Sequence, residues 1–202
     1  VTRELVPSEI IRVQITPSLM HWQTKLHSCA LGLVDANIVL EILPPEDLKP
    51  DKADLSLRFG PKTAGEMHVS VLADERLVFI VHAENPLQEI SVGSLRAIFS
   101  GEVQNWQQLP EMENSDFGID LQPIQFEANN DLSKVLSSAL GLSEGVTSEG
   151  YKVPSLADMV QAVGETPGAI GYSLESQLQG AVKTLDVLDE NALSALLAQP
   201  II

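Results

Sequence analysis

Cysteine, basic residues and long apolar runs are all scarce in this sequence of 202 residues. The single cysteine, Cys29, excludes a disulfide within the chain and a zinc site built from cysteines. Its neighbours are apolar at helical spacing, so we expect Cys29 to be buried rather than reactive. No stretch approaches the ~20 apolar residues of a membrane span, and the opening residues lack the pattern of a signal peptide. We therefore expect a soluble chain, in which a signal peptide or lipid anchor already removed would leave no trace.

Basic side chains are outnumbered, because 12 Lys and Arg stand against 28 Asp and Glu for a net charge of −16. Such a surface disfavours nucleic acid and anionic lipid as partners. It does not exclude a small-anion site, since backbone N–H groups at helix N-termini can form one whatever the surface charge. Hydrophobic residues make up 44% of the chain, which is typical of a globular protein with a sizeable core.

Strand-like and helix-like patterns alternate along the chain. The first strand, EIIRVQI (9–15), precedes a helix that begins at Thr16 and Pro17 and stops near Gly32. Further strand patterns are NIVLEIL (37–43), ADLSL (53–57), two apolar runs within 68–86, LQPIQFEA (121–128), GAIGYSL (168–174) and VKTLDVL (182–188). Further helical patterns are the stretch that Ser91 caps, with Leu95, Ile98 and Phe99 as its stripe, NNDLSKVLSSALG (129–141), VPSLADMVQAVG (153–164) with Ser155 as cap, and a short last helix near 191–198. The alternation predicts an α/β fold with mostly parallel sheets flanked by helices.

The stretch RAIFSGEVQNWQQL (96–109) predicts a helix end, a tight turn and a buried tryptophan. Ile98 and Phe99 form the buried stripe of the helix, and Gly101 permits the left-handed residue that ends it. Trp106 then covers the core, while Asn105 bonds its own turn. We interpret Trp106 as structural rather than as a residue that stacks on a ligand.

Three segments in this order resemble the phosphate-binding proteins of ABC importers, which have the type-2 periplasmic-binding-protein fold. They are FIVHAENP (79–86), LRAIFSGEVQNWQQL (95–109) and ETPGAIGYS (165–173). The family typically has a strand ending in an Asn-Pro-like turn, a helix of the form LxxIFxG followed by NW, and a later pGaIGY strand. The resemblance covers roughly residues 78–173 in pattern and order, and residues 1–77 follow the family only in the order of elements.

The resemblance implies two α/β lobes joined by crossing strands near 76–84 and 168–176. It places residues 1–78 and 174–202 in the first lobe and residues 79–173 in the second. The family's ligand lies in the cleft between the lobes. Physical reasoning points to the same place, because open parallel sheets bind ligands beyond the carboxyl ends of their strands.

Three segments are predicted to reach that cleft. The candidate ligand-binding residues are Thr16, Ser18, Leu19, Ser56, Leu57, Arg58, Asn129, Asn130 and Asp131. In the first segment the hydroxyl of Thr16 lies at the start of a helix, where it acts either as a plain N-cap or as a donor to a ligand. The second corresponds to a Ser-rich turn of the family, and Arg58 there either complements an anion or forms a solvated ion pair. The third lies at the head of a helix.

The third segment departs from the family. Phosphate binders have an arginine and a Ser-Gly-Thr turn where this chain has FEANNDLSK (126–134). The family's enclosure of a tetrahedral oxyanion therefore does not carry over, although asparagine side chains and helix N–H groups can hold a polar group. We expect inorganic phosphate to bind weakly or not at all.

Other chemistry finds little support. The four histidines lack metal-binding spacing, no two carboxylates are assigned to acid and base roles, and no nucleophilic serine motif is present. We expect no enzymatic activity, no catalytic residue, no metal and no cofactor.

The leading hypothesis is an extracytoplasmic, monomeric solute-binding protein. It would close two lobes around a small polar or anionic ligand and hand that ligand to an ABC permease. The alternative is a sensory or scaffold module of the same fold with an altered pocket, which the FEANNDLSK departure favours. A hydrolase or transferase forms a third class, because fold does not fix function.

Overall fold

The first of two sheets is formed by the N-terminal strands. The structure, a computed structural model, describes residues 9–32, 36–49, 51–60, 68–142, 150–188 and 198–202. In the first sheet β1 (Glu9–Ile15) pairs in parallel with β2 (Ala36–Ile42) on one side and with β3 (Leu55–Leu57) on the other. Between β1 and β2 lie a 3₁₀ helix (Pro17–Trp22) and α1 (Gln23–Leu31). Pro17 suits the first position of that 3₁₀ helix because no N–H is required there.

The second sheet is larger and mixed. Its strands are β4 (Ala73–His82), β5 (Glu89–Ser91), β6 (Gln122–Phe126), β7 (Tyr151–Val153), β8 (Ala169–Leu174), β9 (Val182–Leu188) and β10 (Ala198–Ile201). Its helices are α2 (Val92–Ser100), α3 (Asp131–Leu140) and α4 (Leu156–Glu165). The order is β5-β9-β4-β8-β6-β7, parallel except that β4 runs antiparallel to β8, β9 and β10. The predicted α/β class is confirmed, with helices packed against both sheets.

The long strand β4 and the chain end connect the two sheets. The first residues of β4 pair with β10, and its later residues pair with β8 and β9. Beyond β3, the N–H of Arg58 donates to the carbonyl of Ile202 (2.7 Å), and Phe59 bridges Ile201. The last residues of the chain therefore lie between the end of β3 and the start of β4. We call the first sheet, with α1 and the segments that connect its strands, the first lobe, and the second sheet with α2, α3 and α4 the second lobe.

Strand β9 lies in the second lobe, although its residues are predicted from the sequence to lie in the first. The segment VKTLDVL (182–188), assigned from the sequence to the first lobe with the rest of 174–202, forms β9 between β4 and β5. Its parallel pairing with β5 contradicts that assignment. The alternation of apolar and polar residues in this segment predicts a strand but carries no information about its neighbours. The remaining lobe boundaries stay a prediction.

The elements around Trp106 match the sequence-based interpretation. Ser91 caps α2 by accepting a hydrogen bond from the N–H of Ser94, and Gly101 ends the helix with φ of 85°. The predicted stripe of α2 is fully buried, and so is Trp106. The side-chain oxygen of Asn105 accepts from the N–H of Gln107, as predicted for a self-bonding turn.

Helix α1 packs less deeply than its pattern predicts. Cys29 is exposed, which contradicts the expectation of burial. The helix lies over β2, the edge strand of a sheet only three strands wide, and none of its residues is buried. An apolar stripe on a helix is covered only as far as the surface beneath it extends.

The predicted last helix at 191–198 falls mainly on residues 191–197, which lie outside the described residues, and Ala198 begins β10. Within the described ranges, no helix is long and apolar enough to cross a membrane.

Candidate functional site

The first and third candidate segments meet at one carboxylate. Asp131 is the first residue of α3, and its side chain contacts the 3₁₀ helix that follows β1. Thr16 Oγ1 donates to Asp131 Oδ2 (2.7 Å), and Ser18 Oγ donates to the same oxygen (2.5 Å). The backbone N–H of Ser18 donates to Asp131 Oδ1 (3.1 Å). The three donors belong to the first lobe and the acceptor to the second, so this contact joins the lobes.

The contact is shielded from solvent. Asp131 is 3% exposed, and Thr16 and Ser18 are 0% exposed. Hydrogen bonds to an ionised acceptor are stronger than neutral ones, and their electrostatic strength increases where water is excluded. The carboxylate also lies at the N-terminus of α3, where the partial positive charge of the helix favours an anion.

The local sequence explains why these donors are available. Pro17 has no N–H, so the first amide that can point out of the 3₁₀ helix is that of Ser18. Thr16 occupies the N-cap position but makes no capping bond, since its hydroxyl is used by Asp131. Thr16 therefore does not act as a plain N-cap, and its hydroxyl contacts the second lobe instead.

The two candidates that precede α3, Asn129 and Asn130, differ in exposure. Asn129 is exposed. Asn130 is 2% exposed, and its Oδ1 caps α3 by accepting from the N–H of Leu132 (2.9 Å). Its Nδ2 is buried and has no hydrogen-bond partner among the described residues. Asn130 therefore acts as a helix cap in this arrangement and leaves one buried donor unused.

The second candidate segment, Ser56 to Arg58, is bonded to the first through the backbone. Leu57 is fully buried, and its carbonyl accepts from the N–H of Thr16 (3.2 Å), which ties the end of β3 to the end of β1. Leu19 is also fully buried, as part of the core rather than as a side chain open to a ligand. Ser56 Oγ is buried without a hydrogen-bond partner in the described part of the chain. Arg58 is partly buried, and its backbone pairs with Ile202.

A second contact between the lobes was not found from the sequence. Lys134, one turn along α3 from Asp131, forms an ion pair with Glu46 of the first lobe, and both side chains are about half-exposed. The hydrogen bond from Lys134 lowers the pKa of Glu46 below its usual range. Opposite charges 88 positions apart carry no local signal, so only the folded chain identifies this pair.

His21 lies in the last turn of the same 3₁₀ helix. It is partly buried, and its Nδ1 lies 3.0 Å from the carbonyl of Ser18. Burial lowers the pKa of His21 despite the opposing effect of that hydrogen bond. Among the described residues, no group of three or more His, Cys, Asp and Glu is placed to hold a metal ion.

Known proteins resemble this chain in sequence family and in fold. A family model described as a PBP superfamily domain matches residues 51–196. No curated protein sequence matches the chain significantly. Among solved structures, a protein assigned as a phosphate ABC transporter substrate-binding protein from Clostridium perfringens, with bound phosphate, is 14% identical with a TM-score of 0.74. The match covers 96% of this chain and 84% of that one.

Two further solved structures extend the comparison. An ABC-type phosphate transport receptor from Vibrio cholerae is 18% identical with a TM-score of 0.68, over 94% of this chain and 84% of that one. The CcmR regulatory domain from Synechocystis PCC6803, in complex with 2-PG, is 12% identical with a TM-score of 0.66, over 96% of this chain and 86% of that one. At these identities the similarity establishes the fold.

Proposed function

The chain belongs to the PBP superfamily, and on that premise we propose that it is a non-enzymatic, extracytoplasmic solute-binding protein. Its site is the junction where Thr16 and Ser18 of the first lobe meet Asn130 and Asp131 of the second. A small polar solute binds there between the lobes and is passed to an ABC permease.

One observation carries this proposal. Two segments chosen from the sequence as ligand-binding candidates, 113 to 115 positions apart, converge on one buried polar contact between the lobes. Ligand sites are concave places where a few polar groups converge, and these hydroxyls, amide and carboxylate converge between the lobes. The buried Nδ2 of Asn130, next to Asp131, has no hydrogen-bond partner in the described part of the chain, and a polar solute can satisfy it.

A panel of solutes tests the proposal by thermal shift. Oxyanions and small polar metabolites are added to the wild type, to Ser18→Ala and to Ser28→Ala. Ser28 is an exposed serine of α1 that bonds the carbonyl of Thr24, so it serves as the matched control. We expect at least one solute to raise the melting temperature of the wild type and of Ser28→Ala but not of Ser18→Ala, since binding to the folded state stabilises it.

The alternative is a sensory or scaffold module of the same fold, and the bond pattern of Asp131 favours it specifically. The carboxylate already uses the first-lobe donors that a solute would need. A solved structure of similar fold is a regulatory domain, which shows that the fold is not confined to transport. A wild type that responds to no solute of the panel would contradict the transport proposal, and turnover of phosphoester or acyl substrates would contradict both.

A further inference from the structure

We propose that Asp131 is an intramolecular ligand that latches the two lobes together. The inference rests on the proposed site, which it deepens by naming the group that a solute has to displace. It concerns the side chain of Asp131 and its three donors rather than the identity of any solute.

The donors around Asp131 form a set suited to an oxygen anion. Two hydroxyls and one backbone N–H from the turn after β1 converge on the two oxygens of one carboxylate. The same carboxylate lies at the N-terminus of α3, a helix of ten residues. The arrangement is thus that of a bound carboxylate, with the difference that the carboxylate is covalently part of the second lobe.

Because the carboxylate is part of the second lobe, its hydrogen bonds to the first lobe depend on how the two lobes are placed. Thr16 and Ser18 move with the first lobe and Asp131 moves with the second, so any opening of the cleft separates the carboxylate from its donors. Opening breaks the three hydrogen bonds to the carboxylate, and the closed arrangement is favoured because bonds to a charged, water-shielded acceptor outweigh the hydration that the groups regain. The flanking pair of Lys134 and Glu46 joins the same two lobes but is half-exposed, so water and salt screen it and it contributes less.

The latch sets a condition on binding. A solute enters only if its own contacts with the open form exceed those that Asp131 gives up, because a ligand shifts an equilibrium only by its difference in affinity for the two states. An anion has the additional disadvantage of competing with a tethered carboxylate for the same donors. The site of the wild type is therefore closed to simple oxyanions, and removal of the carboxylate should open it to them.

Asp131→Ala is the direct test, with Asp158→Ala as the matched control. Asp158 is also a first-turn acid, but of α4, and it bonds Ser155, the cap of its own helix. Small-angle X-ray scattering gives the radius of gyration, and hydrogen exchange gives the protection of the Ser18 amide. We expect Asp131→Ala to be more expanded than the wild type and to lose protection at Ser18 by about tenfold or more, while Asp158→Ala matches the wild type.

Small carboxylates provide the second measurement. Formate, acetate and inorganic phosphate are each titrated into the three proteins, with chloride at equal ionic strength as the reference. We expect formate to raise the melting temperature of Asp131→Ala and to restore its protection at Ser18, because formate replaces the deleted carboxylate. The wild type and Asp158→Ala should show no response beyond that of chloride.

Variants on the other lobe keep the test independent of how well Asp131→Ala folds. The double variant Thr16→Val and Ser18→Ala removes the two hydroxyl donors and should show the same expansion, without rescue by formate. If Asp131→Ala or the double variant is as compact as the wild type, or if formate acts equally on Asp158→Ala, the latch is wrong. These outcomes are separate from the solute panel, since the latch can hold even if no solute of the panel binds.

Discussion

Single buried side chains hold together segments that are distant in the sequence. The indole of Trp106 donates from Nε1 to the carbonyl of Gly168 (2.9 Å), across 62 positions. The Tyr172 hydroxyl accepts from the N–H of Phe126 and lies 3.2 Å from Ser133 Oγ. Burial raises the pKa of Tyr172, although both contacts oppose the rise, so the phenol stays neutral across the physiological range. In each case a large aromatic contributes packing, and its polar atom finds a partner.

Replacement of Trp106 by alanine should destabilise the protein strongly. The side chain is fully buried, so truncation leaves a cavity and an unpaired carbonyl at Gly168, and we expect a loss of about 3–5 kcal/mol in the free energy of unfolding. Urea denaturation measures it. Trp22, which is only partly buried, serves as the control, and Trp22→Ala should cost less. Loss of solute binding with unchanged stability would instead identify Trp106 as a ligand contact.

Glu111 should make stability depend on acid pH. Partial burial acts to raise the pKa of Glu111, but hydrogen bonds from the N–H of Ser91 and from Ser94 Oγ outweigh it, and the net pKa lies below the ordinary 4.5. A carboxyl group whose pKa is lower in the folded than in the unfolded protein stabilises the fold fully at pH values above its unfolded pKa. This contribution is lost as the pH falls through its folded pKa. The stability gap between the wild type and Glu111→Gln should therefore shrink as pH decreases below about 4.5. Urea midpoints measured across that range test it, and a gap independent of pH would contradict the assignment.

At the level of elements, the contact between β8 and α4 depends on the absence of a side chain. All six residues of β8 are buried, and a Cβ added at Gly171 would lie 2.6 Å from the sulfur of Met159 and 2.9 Å from a methyl of Val163. Both contacts are with α4. Gly171 therefore sets the distance at which α4 packs on β8. This packing explains the second glycine of GAIGYS without reference to a ligand.

Two glycine variants should have opposite effects. Gly171→Ala forces α4 away from β8, and we expect it to destabilise the protein by about 1–3 kcal/mol, as overpacking does. Gly93 is exposed in the first turn of α2 and meets nothing closer than 3.8 Å, so Gly93→Ala should stabilise by about 0.4–1 kcal/mol. Thermal or urea denaturation compares the two. A Gly171→Ala variant as stable as the wild type would show that α4 is free to shift.

Across the whole molecule, residues 198–202 link the two lobes. β10 pairs with the beginning of β4 in the second sheet, and Phe59, which follows β3 of the first sheet, forms a bridge with Ile201. The lobes meet again at Asp131 and at the pair of Lys134 and Glu46. We therefore expect binding at the proposed site to depend on the relative position of the lobes.

Inorganic phosphate should bind weakly or not at all despite the similarity of the fold. A buried dianion needs several donors and a positive charge, and FEANNDLSK lacks the arginine and the Ser-Gly-Thr turn of the phosphate binders. The hydroxyls of Thr16 and Ser18 are not available to phosphate, because both are bonded to the carboxylate of Asp131. Titration calorimetry at near-neutral pH and moderate salt measures the affinity. Sub-micromolar binding would overturn both the alignment of this segment and the prediction.

Local features of the fold could be predicted from the sequence because their causes are local. The strand at 9–15, the cap at Ser91, the left-handed Gly101 and the burial of Trp106 each depend on residues within a few positions of one another. Periodicity, capping chemistry and the freedom of glycine act over one or two turns, and so a single sequence expresses them. The segments that converge on the candidate site were identified for the same reason, since each lies at a helix start.

Tertiary structure alone decided which of these local pieces meet. The pattern of VKTLDVL predicts a strand but not its place between β4 and β5, and the stripe that includes Cys29 does not reveal how narrow the sheet beneath it is. Nor does any local pattern in Thr16, Ser18 and Asp131 indicate that two hydroxyls will bond a carboxylate 115 positions away. Such pairings depend on how whole sheets and helices pack, and packing is a property of the assembled chain rather than of any window within it.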